Sequence, residues 1–133
     1  MILFVLAIAV LALALVGAPA RAQNHSDLWW NPQESGWGLA IADHDTDLVA
    51  VWFTYAQDGR PTWFVCPGGD FSADRRQFRC DLFETRGPAY AIQPFDAAKV
   101  TATRVGSASF DFPSAALAAG VARFTYTVGD VTR

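Results

Sequence analysis

The sequence has little of the chemistry that metal centres and histidine-based active sites require. It contains two cysteines and two histidines among 133 residues. Neither Cys66 nor Cys80 has a second cysteine or a histidine at ligand spacing, which argues against the common zinc motifs. His25 and His44 lie near no nucleophile in a recognisable arrangement, so nothing predicts a Ser-His-Asp triad. We therefore expect no metal, no cofactor and no catalytic residue that the sequence identifies.

Positive charge is also scarce. Ten Lys and Arg residues against 13 Asp and Glu residues give a formal net charge of −3. A protein of that sign repels the phosphate backbone of nucleic acids, so we expect no nucleic-acid partner. Arg75, Arg76 and Arg79 form a basic cluster, which we predict to be a solvated hairpin tip.

The first 22 residues, 1–22, are predicted to be a signal peptide. Residues 2–16 form an apolar run that is short for a transmembrane helix. Ala20 and Ala22 then match the A-x-A cleavage pattern before Gln23. No Lys or Arg precedes the apolar run, which leaves an uncleaved anchor as the alternative. We expect 23–133 to be a single domain, secreted or periplasmic, with no stable membrane span after cleavage.

Export to an oxidising compartment predicts a disulfide between Cys66 and Cys80. Closing a loop of about 15 residues stabilises a fold by roughly 3 kcal/mol in the chain-entropy model. Two buried free thiols are the alternative. Placing Cys66 directly opposite Cys80 in a hairpin would bring their Cβ atoms close enough to form the bond.

The rest of the chain is rich in period-two alternation and in β-branched and aromatic residues, which predicts an all-β fold. Short helical turns are expected at 96–99 and 114–119. The spacing favours an antiparallel up-and-down meander of about seven or eight strands, forming a small barrel or sandwich. The predicted strands are 37–41, 47–55, 61–66, 76–84, 100–104, 108–112 and 121–128.

The Asp-Gly pair at 58–59 predicts a two-residue hairpin turn between the second and third of these strands. With that turn, Phe53 faces Phe64 across the strand pair. Trp52 and Trp63 lie inside the two strands, and we predict that both belong to the core.

The most unusual segment is LWWNPQESGWGLAI at 28–41. All five tryptophans lie between residues 29 and 63. Trp29, Trp30 and Trp37, together with Glu34, are our candidate ligand-binding residues, because aromatic side chains stack on ligands and line small-molecule pockets. The alternative is a packing role, since large aromatic side chains mostly serve the core.

Glu34 supports two interpretations. A carboxyl group that aromatic rings desolvate can act as a general acid. Glycoside hydrolysis usually needs a second carboxylate, and the spacing selects neither Asp27 nor an aspartate of 43–47. Alternatively, Glu34 accepts backbone or indole N–H bonds and holds the turn at 31–32, so that its removal would cost about 1–3 kcal/mol. We favour this structural interpretation.

The acidic segment DHDTD at 43–47 imitates the start of a calcium-binding loop. Leu48 stands where such a loop has its glycine, and Thr54 stands where it has its last acidic ligand. An aspartate-rich turn between two strands explains the segment better.

The run WWNPQESGWG at 29–38 resembles a WWNPxESGWG signature of secreted bacterial proteins of uncharacterised function. Segments at 52–63, 87–96 and 124–128 resemble later blocks of the same family, so the similarity covers nearly the whole of 23–133. The resemblance implies secretion and one shared fold but no chemistry. Members of the family continue with another strand after this last block, which leaves closure of the barrel open for a chain that ends at Arg133.

We therefore expect a secreted, non-enzymatic β-module that binds a small molecule, a glycan or a partner protein through its aromatic-rich end. The alternatives are a small hydrolase that uses Glu34 as acid or base and a purely structural envelope protein. Two carboxylates converging on an open cleft would favour the hydrolase. The sequence predicts no oligomeric state.

Overall fold

The computed structural model describes residues 24–113 and 120–133. The signal peptide expected at 1–22 and the helical turn expected at 114–119 lie outside these described residues. Within the described ranges, no helix has the length and apolar character needed to cross a membrane.

Nine antiparallel strands and one 3-10 turn make up the described chain. The turn, at Ala97–Lys99, was expected from the sequence, and its N-cap Asp96 accepts a hydrogen bond from the Ala98 N–H at 3.1 Å. The strands are β1 (Asp27–Trp29), β2 (Gly38–Asp43), β3 (Leu48–Tyr55), β4 (Pro61–Cys66), β5 (Gly69–Phe71), β6 (Gln77–Arg86), β7 (Thr101–Asp111), β8 (Arg123–Val128) and β9 (Val131–Thr132).

All nine strands belong to one sheet, whose order follows the chain from β1 to β9, with β5 paired beside β6. This confirms the all-β class and the up-and-down meander. The sheet curls until β3 meets β8, where the ring centroids of Trp52 and Tyr126 lie 4.2 Å apart. Among the described residues no backbone ladder joins β1 to β8 or β9. The architecture is therefore a curled half-barrel.

The core fills the inner, concave face of this sheet. Alternate residues of each strand point inward because the side-chain period of a strand is two. In β3, for example, Leu48, Ala50 and Trp52 are buried, whereas Phe53 on the opposite face is half exposed. The buried apolar residues are Leu39, Ile41, Leu48, Ala50, Trp52, Cys66, Phe78, Cys80, Leu82, Ala108, Phe110 and Phe112.

The loop between β3 and β4 has three residues, 57–59, where the sequence predicted two. The Ala56 N–H donates to the Arg60 carbonyl oxygen at 2.9 Å, which places these two residues opposite each other. Gly59 has a φ of +81° and also donates its N–H to the Ala56 carbonyl oxygen. A three-residue loop that ends in a left-handed glycine is a common hairpin connection.

This extra loop residue shifts the predicted pairing by one position. Phe53 faces Trp63 and not Phe64, so the predicted pair was wrong. Trp52 is a core residue, as predicted. Trp63 is not a core residue, because it lies on the outer face of β4 with 51% of its surface exposed. The sequence did not show which of the two tryptophans would be buried, because both faces of the two strands are apolar.

β7 is a single strand where the sequence predicted two, at 100–104 and 108–112. The register with β6 shifts next to Val105, and the ladder continues on both sides of this irregularity. Gly106 lies where β8 approaches closely, since a Cβ at this position would overlap the Thr127 carbonyl oxygen. A bulge and a small residue therefore allow one long strand to bend with the sheet.

The predicted disulfide between Cys66 and Cys80 is present, with the two Cα atoms 5.9 Å apart. We expected Cys66 and Cys80 to face each other in a simple hairpin, and they do not. Cys80 faces Gly69 of β5, and Cys66 faces Ala50 of β3. The disulfide thus joins β4 to β6 at the point where the short strand β5 is inserted between them in the chain.

Candidate functional site

The five tryptophans divide between the two faces of the sheet. Trp52 is buried, and Trp29 and Trp37 are half-buried partners of the inner core. Trp30 and Trp63 are 67% and 51% exposed. The predicted site residues are therefore not one cluster, because Trp30 is separated from Trp29 and Trp37.

Trp29 and Trp37 pack across the open seam of the half-barrel. The Trp29 indole N–H donates to the His25 carbonyl oxygen at 3.2 Å, and its ring centroid lies 6.0 Å from that of Phe112. The Trp37 ring centroid lies 6.2 Å from that of Phe124. Side-chain packing between the first and last parts of the chain therefore covers the seam that backbone pairing leaves open.

Glu34 is exposed, and its carboxylate accepts the Trp37 indole N–H at 3.2 Å. Asn31 holds the turn itself, since its side-chain oxygen accepts the Gln33 N–H at 3.0 Å and its carbonyl oxygen accepts the Glu34 N–H at 3.0 Å. The expected indole bond is present. This bond is exposed to solvent, so removal of Glu34 would leave no buried donor without a partner.

Three of the four other carboxylates that could act in acid–base chemistry are engaged elsewhere, namely Asp27, Asp43 and Asp47. The Asp27 side chain accepts the Leu28 N–H at 2.7 Å, and Asp43 forms a buried ion pair with Arg75. Asp47 accepts the Gly69 N–H at 3.1 Å. Across the part of the chain that the structure describes, no three His, Cys, Asp or Glu side chains converge as metal ligands would.

A surface that the sequence analysis missed lies on the outer face of the first four strands. We define the aromatic row as Trp30, Phe53, Tyr55 and Trp63, all at least half exposed. Phe53 and Trp63 are direct cross-strand partners. Tyr55 follows on the same face of β3, about 7 Å farther along the strand. Val51, Phe53 and Tyr55 alternate along β3 and indicate an apolar outer face. The opposite face of β3 is apolar too, so the alternation did not show which face would be exposed.

Gly38 leaves a gap within the aromatic row, an open floor, because it has no side chain there. It is the cross-strand partner of Phe53, and the position its Cβ would occupy is 3.9 Å from the Trp30 Cβ. A side chain at this position would fill the space between Trp30 and Phe53. Since neighbouring strands lie about 4.8 Å apart, these two rings are separated by about two strand spacings with a glycine between them.

Polar groups border the aromatic row at the turn before β2. Gly36, with a φ of +118°, brings this turn to Tyr55, whose Cε2 lies 3.4 Å from where a Cβ on the glycine would be. The turn carries the amide of Gln33 and the hydroxyl of Ser35, both exposed. Hydrogen-bonding side chains therefore lie beside exposed rings.

The charged residues around the aromatic row are paired with one another. The Arg60 Nε lies 2.7 Å from an Asp58 carboxylate oxygen, and this hydrogen bond lowers the pKa of Asp58 below its ordinary value. The surroundings of the row are therefore close to electrically neutral.

The opposite end of the sheet holds a buried polar cluster that we call the clamp: His25, Asp43 and Arg75. The His25 backbone N–H donates to the Asp43 carboxylate at 3.0 Å, and its Nε2–H donates to the Arg75 carbonyl oxygen at 3.1 Å. Phe112 stacks on the His25 ring at a centroid distance of 3.9 Å. The Arg75 guanidinium lies 3.9 Å from the centroid of Phe71. The prediction that Arg75 is solvated was wrong.

Burial determines the protonation of the clamp. Loss of hydration lowers the pKa of His25 below 6.5, so the ring is neutral at neutral pH. Burial acts to raise the pKa of Asp43, but hydrogen bonds from the His25 N–H and the Arg75 guanidinium outweigh it and leave the pKa lowered. The clamp thus contains a buried carboxylate and a cation that neutralises it, which identifies it as a structural ion pair.

A shallow groove of about 600 Å³ lies along β5 to β8, on the other half of the outer face. Its lining includes the hydroxyls of Ser107 and Thr125 and the side chain of Asp81. Arg104 pairs with Asp81 at 2.8 Å. The groove shares no lining residue with the aromatic row.

Comparison with known proteins finds no matching family model, no matching curated protein and no matching solved structure.

Proposed function

We propose that this protein is a secreted, non-enzymatic module that binds a carbohydrate chain through the aromatic row. One observation carries the proposal: Trp30, Phe53, Tyr55 and Trp63 share the outer face of the sheet and remain at least half exposed. Exposed large apolar side chains that adjoin one another on a soluble domain typically mark an interaction surface.

The chemistry of a sugar chain fits this surface. A pyranose ring has faces of C–H groups, which pack on aromatic rings, and a rim of hydroxyls, which need hydrogen-bond partners. The aromatic row supplies the rings, with an open floor at Gly38. The neighbouring turn supplies the amide of Gln33 and the hydroxyl of Ser35. Rigid strands hold the rings in place before the ligand arrives, which reduces the entropy lost on binding.

The charge distribution favours a neutral ligand. Arg60 is paired with Asp58, and the whole chain has a net charge of −3. An anionic polymer would have to break this pair or overcome repulsion, so an uncharged glycan fits the surface better than a charged one.

Hydrolysis has less support than binding. The Glu34 carboxylate is exposed and hydrogen-bonded to the Trp37 indole. An inverting or retaining glycosidase places two carboxyl groups on either side of the scissile bond. Asp43 is committed to Arg75 and lies at the far end of β2 from Glu34, so it cannot serve as that second group.

Export forms part of the same proposal. The disulfide between Cys66 and Cys80 supports an oxidising compartment, where such bonds persist. We expect the exported protein to begin at Gln23, because the small-residue cleavage pattern ends there. Intact mass measurement of protein from the periplasm or medium would show this start, whereas a mass that retains residues 1–22 would indicate an anchor.

The binding proposal is tested by depletion of the exported protein from solution by insoluble chitin, cellulose and peptidoglycan. We expect at least one polysaccharide to bind the wild type, and Trp63→Ala to weaken that binding by about tenfold, equivalent to 1.4 kcal/mol. Val121→Ala is the matched control, because Val121 is 54% exposed, close to the 51% of Trp63, and lies outside the first four strands. Absence of binding to all three polymers, or equal binding by both variants, would contradict the proposal.

A further inference from the structure

The connection between β6 and β7 is an exposed loop rich in large apolar side chains. We call residues 87–100 the apolar loop. Tyr90, Ile92 and Phe95 are 95%, 57% and 56% exposed, and every residue from 89 to 100 is exposed. These side chains therefore contribute nothing to the core. Leaving them in water costs free energy that burial in an apolar environment would recover.

The tip of the apolar loop is uncharged, and its base is ordered. Residues 87–95 read GPAYAIQPF and contain no Asp, Glu, Lys or Arg. Asp96 and Lys99 follow at the base, where they pair at 3.6 Å and bracket the capped 3-10 turn. The loop therefore presents an apolar tip on a base whose own charges cancel.

Other aromatic residues lie at the same end of the sheet as the apolar loop. β6 ends and β7 begins at this end of the sheet, and the antiparallel pairing of β4 with β6 places the hairpin after Tyr55 at the same end. The turn that follows Trp30 and the turn before Val131 are also there, since β2 begins and β8 ends at that end. Trp and Tyr are the residues enriched at membrane–water interfaces.

We propose that the apolar loop inserts Tyr90, Ile92 and Phe95 into the interfacial region of a lipid bilayer and so holds the protein at a membrane surface. Insertion needs apolar area and no directional partner, which is what an uncharged projecting tip offers. A protein partner would instead favour a surface with hydrogen-bonding groups around an apolar centre. The net charge of −3 selects bilayers without net negative charge, because an anionic surface would repel the protein.

Cosedimentation of the exported protein with phosphatidylcholine vesicles tests this proposal. We expect binding that is independent of salt concentration and that decreases when phosphatidylglycerol is added. The triple variant Tyr90→Ser, Ile92→Ser, Phe95→Ser should lower the partition coefficient by about tenfold or more, since it removes the apolar area that inserts. Its melting midpoint should match the wild type, because the three side chains are exposed.

The matched control is Leu28→Ser combined with Val121→Ser, two exposed apolar residues away from the loop. This control and Trp63→Ala should both keep the partition coefficient within about twofold of wild type, because neither changes the inserted area. Trp63→Ala separates the two proposals, since it should lose polysaccharide binding and retain vesicle binding. The membrane proposal is overturned if the wild type does not sediment with vesicles, or if the triple variant partitions as the control does.

Discussion

Arg75 Nη2 lies 2.6 Å from Asp43 Oδ1, inside the structure and between residues that are 32 positions apart in the chain. The Asp43 side chain has no exposed surface, and the Arg75 side chain is 19% exposed. Through the His25 N–H, which donates to the same carboxylate, this ion pair attaches the segment before β1 to the turn before β6. One end of the half-barrel is therefore held by charge, and the other presents exposed aromatic rings.

Breaking the ion pair should be strongly destabilising. Arg75→Met leaves a buried, uncompensated carboxylate, and we expect the free energy of unfolding to fall by about 3–5 kcal/mol. Arg76→Met is the control, because Arg76 pairs with Asp74 at 3.7 Å where both side chains are more than half exposed. That change should leave the free energy of unfolding nearly unchanged, because water and salt screen an exposed ion pair. Urea unfolding measures both, and equal losses would contradict the structural role of the clamp.

Acid should weaken the fold through His25. The folded-state pKa of His25 lies below its ordinary 6.5, so the unfolded chain binds a proton more readily as the pH decreases. Stability is therefore full above about pH 6.5 and is lost as the pH falls from there towards the lowered pKa. The lowered pKa of Asp43 adds a second loss below its ordinary value of 3.8.

Thermal unfolding between pH 7.5 and pH 5 tests the histidine contribution. His25→Gln should flatten the decrease of the melting midpoint across this range, because the variant has no proton to take up. His44→Gln should retain the wild-type slope, since His44 is exposed. The same slope in both variants would mean that another group carries the pH dependence.

Reduction of the disulfide should lower stability without changing the fold. Cys66 and Cys80 are 14 positions apart, and a loop of this length is worth about 3 kcal/mol in the chain-entropy model. We expect the double variant Cys66→Ala, Cys80→Ala to match the reduced wild type in urea unfolding and to be insensitive to reductant. A wild type whose midpoint does not change on reduction would show that the bond adds no stability.

Glu34→Gln should have almost no effect on stability. Within the described residues, its side chain makes one hydrogen bond, the exposed bond from the Trp37 indole, and a glutamine oxygen can accept the same bond. We expect a change within about 0.5 kcal/mol, as for most surface substitutions. Asn31→Ala should cost more, about 1 kcal/mol, because it removes the acceptor of the Gln33 N–H. A loss of several kcal/mol in Glu34→Gln would restore the structural role that the sequence suggested.

The sequence predicted the strand order, the location of most strands and the disulfide, because these depend on local signals. Alternation and turn residues are visible within a few residues of each other, and the chain has only two cysteines that could pair. The sequence did not predict that Val105 would form an irregularity inside one long strand. That feature depends on how β7 bends against its neighbours in the curled sheet.

The candidate site was harder to predict for a physical reason. Trp52 and Trp63 occupy similar apolar strands, and a one-residue change of loop length decides which residues face each other. When both faces of a strand are apolar, alternation does not show which side chains point towards the core. The ion pair between Asp43 and Arg75 was missed because no local pattern connects residues so far apart in the chain.

The division of the tryptophans between core and surface is the central claim, and paired measurements on Trp52→Ala and Trp63→Ala test it most directly. Trp52→Ala should lower the free energy of unfolding by about 3–5 kcal/mol, as expected for a large buried aromatic side chain. Trp63→Ala should change it by less than about 1 kcal/mol and yet weaken polysaccharide binding about tenfold. Equal destabilisation by Trp63→Ala and Trp52→Ala would contradict this division, and wild-type polysaccharide binding by Trp63→Ala would show that the aromatic row is not a binding surface.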